Sequence, residues 1–131
     1  MLVDFTHVKN IFVVCGRTDM RCGIDRLAGI ITDKYNLDLF DDALFLFCGL
    51  KKDRFKALYW DTDGFILLYK RIENGAPTRF NSSLSGEGNL QWPRNQEEVK
   101  KLTSQELRWL LEGLSIQQPK AIKPAHKGCI N

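Results

Sequence analysis

The chain has 131 residues, with 19 Lys and Arg against 16 Asp and Glu, for a formal charge of +3. Hydrophobic residues at 44% and charged residues at 27% exclude wholesale disorder, and the length suits one domain around one core. No apolar run reaches the roughly 18 residues of a membrane span, and the opening Met-Leu-Val-Asp-Phe lacks a basic region and cleavage site, so a soluble cytoplasmic protein is expected.

Ile11-Phe12-Val13-Val14-Cys15, stopped by Gly16, has the β-branched and aromatic content of a buried strand. Thr18 or Asp19 is placed to cap a helix running to Tyr35. Its apolar positions Met20, Ile24, Leu27, Ala28 and Ile31 share one face, and Asn36 suits a left-handed residue at its end. Ala43 to Cys48 is a second apolar strand, closed by Gly49. Leu50-Lys51-Lys52-Asp53 is a polar turn, Arg54 to Trp60 a third strand and Phe65 to Arg71 a fourth. The last two are joined by the hairpin signal Asp61-Thr62-Asp63-Gly64.

Residues 73–89, rich in Gly, Ser and Asn, read as a flexible loop with room for a short strand at Thr78 to Phe80. Order resumes at Leu90-Gln91-Trp92-Pro93. Thr103-Ser104-Gln105-Glu106 is a capping box preceded by Leu102, and Leu107, Leu110, Leu111 and Leu114 form the buried stripe of a second helix ending near Gly113. The pattern predicts an α+β fold: an antiparallel sheet of four to five strands, a meander, packed on one face by two helices. It occupies a single domain over residues 1–115, with a loosely ordered basic tail over 116–131.

Four cysteines (Cys15, Cys22, Cys48, Cys129) without a C-x-x-C pair, and two histidines (His7, His126) near the termini, predict buried reduced thiols and neither a metal nor a cofactor. Positive charge concentrates in residues 51–80, with seven basic groups against four acidic, and in 120–131, with three lysines and no acid. Lys51, Lys52, Arg54 and Lys56 cluster at one hairpin end, with Lys70 and Arg71 late on the next strand. Such a ribbon can contact DNA phosphates, or it can be a solvated edge whose lysines discourage aggregation. Arg17 and Arg21, where the first strand meets the first helix, are further anion contacts, although the Gly spacing and Lys of a phosphate-binding loop are missing. Asp19, Asp25, Asp61 and Asp63 have the chemistry of metal ligands for phosphoryl transfer, but Asp61 and Asp63 occupy a turn where Asp is expected and Asp19 is a natural cap, which is the favoured reading. Tyr59, Trp60, Tyr69 and Trp92 fit a core or a base-stacking surface; Trp109, flanked by Arg108, sits beside the leucine stripe at a core edge or a partner interface.

Val14-Cys15-Gly16-Arg17-Thr18-Asp19-Met20-Arg21 with Ile24-Asp25 and Leu27-Ala28 resembles the opening of the small second-open-reading-frame product of insertion-sequence-66-type transposable elements. That product is called TnpB and is unrelated to the RNA-guided nuclease of the same name. The resemblance continues through Asp53-Arg54-Phe55-Lys56, Leu58-Tyr59-Trp60-Asp61, Gly64-Phe65, Leu68-Tyr69-Lys70-Arg71 and Gln91-Trp92-Pro93 to Leu107-Arg108-Trp109-Leu110-Leu111-Glu112-Gly113-Leu114. One departure is an insertion of about ten residues between Arg79-Phe80 and Trp92-Pro93, which a surface loop accepts at modest entropic cost. The resemblance implies a non-catalytic accessory factor for transposition, with strand cleavage left to a separate transposase, and it carries over no catalytic residue. Three readings follow: an accessory factor binding double-stranded DNA through Lys51, Lys52, Arg54, Lys56 and Arg71, with Arg17 and Arg21; an adaptor touching only the transposase through Trp109, Arg108 and the tail; and a metal-dependent nuclease using Asp61 and Asp63.

Overall fold

The computed structural model describes residues 4–5, 7–73, 90–95, 98–112 and 116. In chain order it contains β1 (Asn10–Val14), α1 (Ile24–Gly29) running on as a wider π-helical segment (Ile30–Lys34), β2 (Ala43–Cys48), β3 (Arg54–Asp61), β4 (Gly64–Arg71), β5 (Val99–Leu102) and α2 (Ser104–Leu111). The strands form one sheet in the order β4-β3-β2-β1-β5.

The predicted meander is present as β2-β3-β4, with Leu44 opposite Tyr59 and Ala57 opposite Leu68. The sheet as a whole is mixed and mostly antiparallel, because β1 runs parallel to β2 with Asn10 opposite Ala43. Parallel neighbours cannot be joined by a tight turn, and α1 is the crossover that joins them.

The layers also differ from the expected one-sided cover. Leu27 and Ile31 from the first helical segment pack with Phe45 and Phe47 on one face of β2. Leu107 and Leu110 from α2 pack with Leu44 and Leu46 on the other. The helices therefore lie on opposite faces. The cause is visible in β2, which is buried at all six positions. A strand apolar at every residue needs cover on both sides.

The first helix begins at Ile24, four residues later than its apolar spacing predicts. Asp19 closes a turn instead of capping a helix: its carboxylate accepts the Arg21 backbone N–H at 2.9 Å, and the Cys22 N–H donates to the Asp19 carbonyl at 3.1 Å. Gly23 then occupies the cap position without a side chain to offer. At the other end Asn36 takes the left-handed conformation expected of it, with φ 55°. The capping box of α2 forms as predicted, Glu106 N–H donating to Thr103 Oγ1 at 3.1 Å and Thr103 N–H to Glu106 Oε1 at 2.8 Å.

β5 is an unforeseen strand, paired with β1 through Val14 opposite Val99. The short strand foreseen at Thr78 to Phe80, the loop beyond Glu73, and Cys129 and His126 lie outside the described residues. Ile116, placed in the tail by sequence, is only 8% exposed and belongs to the core beneath α2; the rest of the tail is outside the described residues. Cys15, Cys22 and Cys48 are buried, and burial pushes the Cys48 thiol up to about 12. Among the described residues no helix is long and apolar enough to cross a membrane.

Candidate functional site

Parallel pairing places the C-terminal ends of β1 and β2 side by side, and the space beyond such ends is where open sheets with parallel strands leave a crevice. The two strands exit through Gly16, at φ 77°, and Gly49, where an added Cβ would stand 2.8 Å from Met20 Cγ. Backbone hydrogen bonds fix the walls: Thr18 N–H to the Cys48 carbonyl at 2.7 Å, Gly16 N–H to the Pro93 carbonyl at 2.8 Å, and Leu90 N–H to the Lys52 carbonyl at 2.7 Å. The buried Trp92 adds its indole N–H, which donates to the Val14 carbonyl at 2.9 Å. A cleft of about 540 Å³ results, bordered by Arg17, Leu50, Lys52, Trp92, Pro93 and Arg94. A hollow of about 410 Å³ adjoins it toward Lys51 and Arg54, and another of about 270 Å³ toward Lys100.

The cations singled out by sequence divide into two groups. Arg54 forks onto Asp53, with Nε–Oδ1 2.9 Å and Nη2–Oδ2 3.2 Å. Arg71, directly opposite Arg54 on β4, pairs with Glu73 at 2.6 Å, and Arg21 pairs with Asp19 at 2.8 Å. Lys56 reaches across to the turn before the first helix, donating to the Cys22 carbonyl at 2.8 Å with its ammonium 5.3 Å from the centre of the Tyr69 ring. Each of these four cations has a partner within the chain. Arg17, Lys51 and Lys52 are different: no carboxylate among the described residues pairs with them, and all three border the cleft system. Arg94, which sequence reasoning did not single out, joins them in the same state.

Crowding like charges without acids is costly, and Lys52 shows it. Burial first, and the Arg94 guanidinium second, push its ammonium below the ordinary value. Its backbone is left-handed as well, at φ 59°, a conformation uncommon for a residue with a long side chain. The Lys52 N–H, donating to the Gly49 carbonyl at 3.2 Å, helps hold this turn in place.

The carboxylates considered as metal ligands do not converge. Asp19 borders the cleft system, whereas Asp61 and Asp63 form the β3–β4 turn at the far end of the sheet. Arg108 is exposed and Trp109 half-buried on α2. An aromatic group with one exposed member also occupies the far end: Phe40, 58% exposed, meets the half-buried Trp60 edge-on at 5.0 Å, and Trp60 meets the half-buried Phe65 at 4.9 Å.

Residues 9–121 match the family described as IS66 Orf2 like protein. The chain is also similar to the uncharacterized protein y4hO of Sinorhizobium fredii (strain NBRC 101917 / NGR234), 29% identical over 119 residues that cover 91% of each chain. No solved structure matches it. Gly16 to Met20, Asp53-Arg54 and Trp92-Pro93, from three segments on which the family resemblance rests, border the cleft and its neighbouring hollow.

Proposed function

Because the chain belongs to the IS66 Orf2-like family, which is associated with IS66 transposition, we propose that it is a non-catalytic accessory factor that grips DNA phosphates while a separate transposase performs the chemistry. The observation that carries this reading is the gathering of Arg17, Lys52 and Arg94 around one cleft, with Lys51 on the adjoining hollow, none of them in an ion pair with a carboxylate among the described residues. Phosphate contacts supply most sequence-independent affinity for DNA. Fluorescence anisotropy with a duplex oligonucleotide tests it. The Arg17→Gln/Lys52→Gln/Arg94→Gln variant should bind at least about tenfold more weakly than wild type at the same salt. Equal binding, with the variant's fold intact by circular dichroism, would contradict the proposal. Duplex incubated with the protein and Mg²⁺ or Mn²⁺ should stay intact; cleavage lost on Asp61→Asn would restore the nuclease alternative.

A second reading, docking on the transposase, is favoured by one observation: the aromatic group at the end away from the cleft, where exposed Phe40 packs on the partly buried Trp60 and Phe65. Phe40→Ser should abolish capture of the same element's transposase from nuclease-treated lysate if this surface is the contact, and leave DNA affinity unchanged.

A further inference from the structure

The cationic cleft is a hollow and not a ridge, and this difference bears on what form of DNA it accepts. A duplex presents its phosphates on a convex cylinder with the bases stacked and paired inside. Surface cations suffice to hold such a partner; a recess with apolar walls adds nothing to that contact. Here Arg17, Lys52 and Arg94 surround a recess of about 540 Å³, within the range of small-ligand sites. Its walls are not charged throughout. Leu50, 67% exposed, borders it together with Pro93 and the buried Trp92. Gly16 and Gly49 border the recess, and the hydrogen bonds from Thr18, Gly16 and Leu90 brace its border.

We infer that this recess receives one unpaired nucleotide at a DNA end, its phosphate among Arg17, Lys52 and Arg94 and its base against Leu50 and Pro93. The inference rests on the DNA-binding reading above and narrows it from duplex in general to ends with an unpaired base. A flat base freed from its partner offers an apolar face that fits beside Leu50 and Pro93, while the attached phosphate pairs with the cations around them. The unfavourable crowding of Lys52 with Arg94 is relieved by that anion. A base still in the stack cannot enter, because its face is covered by its neighbours. Strand ends are intermediates in any cut-and-join reaction, so a factor that holds one has a place beside an enzyme that makes and rejoins them.

The test is anisotropy on the full chain with duplexes of one sequence, either blunt or carrying a short single-stranded 3′ or 5′ extension, and with a deoxynucleoside monophosphate as competitor. An extended duplex should bind at least about fivefold more tightly than the blunt one. Leu50→Ala, at a site too exposed to disturb the fold, should bring the two within twofold of each other by weakening the extended duplex more than the blunt one. Arg94→Gln should weaken both. Equal, salt-sensitive binding of blunt and extended duplexes by wild type overturns this inference and leaves the DNA-binding reading standing. Tight binding of the monophosphate with no binding of any duplex overturns it in favour of a free-nucleotide site. Failure to bind every ligand overturns both.

Discussion

Lys56 separates the service a cation renders to the fold from the service it offers a partner. Its ammonium joins β3 to the Cys22 carbonyl and lies over Tyr69, so Lys56→Met, which keeps most of the aliphatic stem, should cost about 1–2 kcal/mol in urea denaturation. The same variant should leave DNA affinity unchanged; a loss of affinity with unaltered stability would return Lys56 to the interface. Asp42 illustrates a pH-dependent contact. Tyr59 O–H at 2.7 Å and the Lys9 N–H at 3.1 Å hold its carboxyl below the usual value near 3.8. A depressed folded-state pKa contributes stability above the unfolded-state value and loses it as pH falls through the folded one. Asp42→Asn should therefore flatten the fall in Tm below about pH 4, and an acid profile identical to wild type would exclude the assignment. The pairings that withdraw Arg21, Arg54 and Arg71 were legible, since each partner acid (Asp19, Asp53, Glu73) lies within two residues of its arginine. Arg94 was not, because only the sheet brings it beside Lys52.

Among the elements, α2 and the meander are readable because their signals are local: a capping box over four residues and a turn of four. Thr103→Ala removes the acceptor for Glu106 N–H and should cost about 0.5–2 kcal/mol, checked by thermal or urea unfolding. No change would mean that helix entry is fixed by packing of Leu102 and Leu107 alone. β5 escaped notice for a physical reason. Two of its four residues are lysines, tolerable because it is an edge strand with one neighbour. The two-sided arrangement of helices was in principle visible in β2, where Ala43 to Cys48 is apolar without alternation. The helix spacing read well in its apolar stripe and failed at its start, where Asp19 finds a turn to close before Gly23 permits the first helical residue.

At the scale of the whole molecule, charge counts along the chain place +3 in residues 51–80, yet the fold splits that excess. Arg54, Lys56 and Arg71 each have a partner within the chain, while Lys51 and Lys52 join Arg17 and Arg94 from distant parts of the sequence. β3 separates the cationic end from the Phe40, Trp60 and Phe65 group by eight residues, on the order of 25 Å. That distance lets one end hold DNA while the other remains open to a protein.

The central claim is that the cations of the cleft, and not those of the hairpin ladder, meet phosphates. The salt dependence of duplex affinity tests it most directly, because each lost phosphate contact lowers the slope of log K against log salt by about 0.9. Arg17→Gln/Lys52→Gln/Arg94→Gln should reduce the slope by about 2–3, and Arg54→Gln/Arg71→Gln should leave it as in wild type. The reverse pattern, or a wild-type affinity indifferent to salt, would contradict the account.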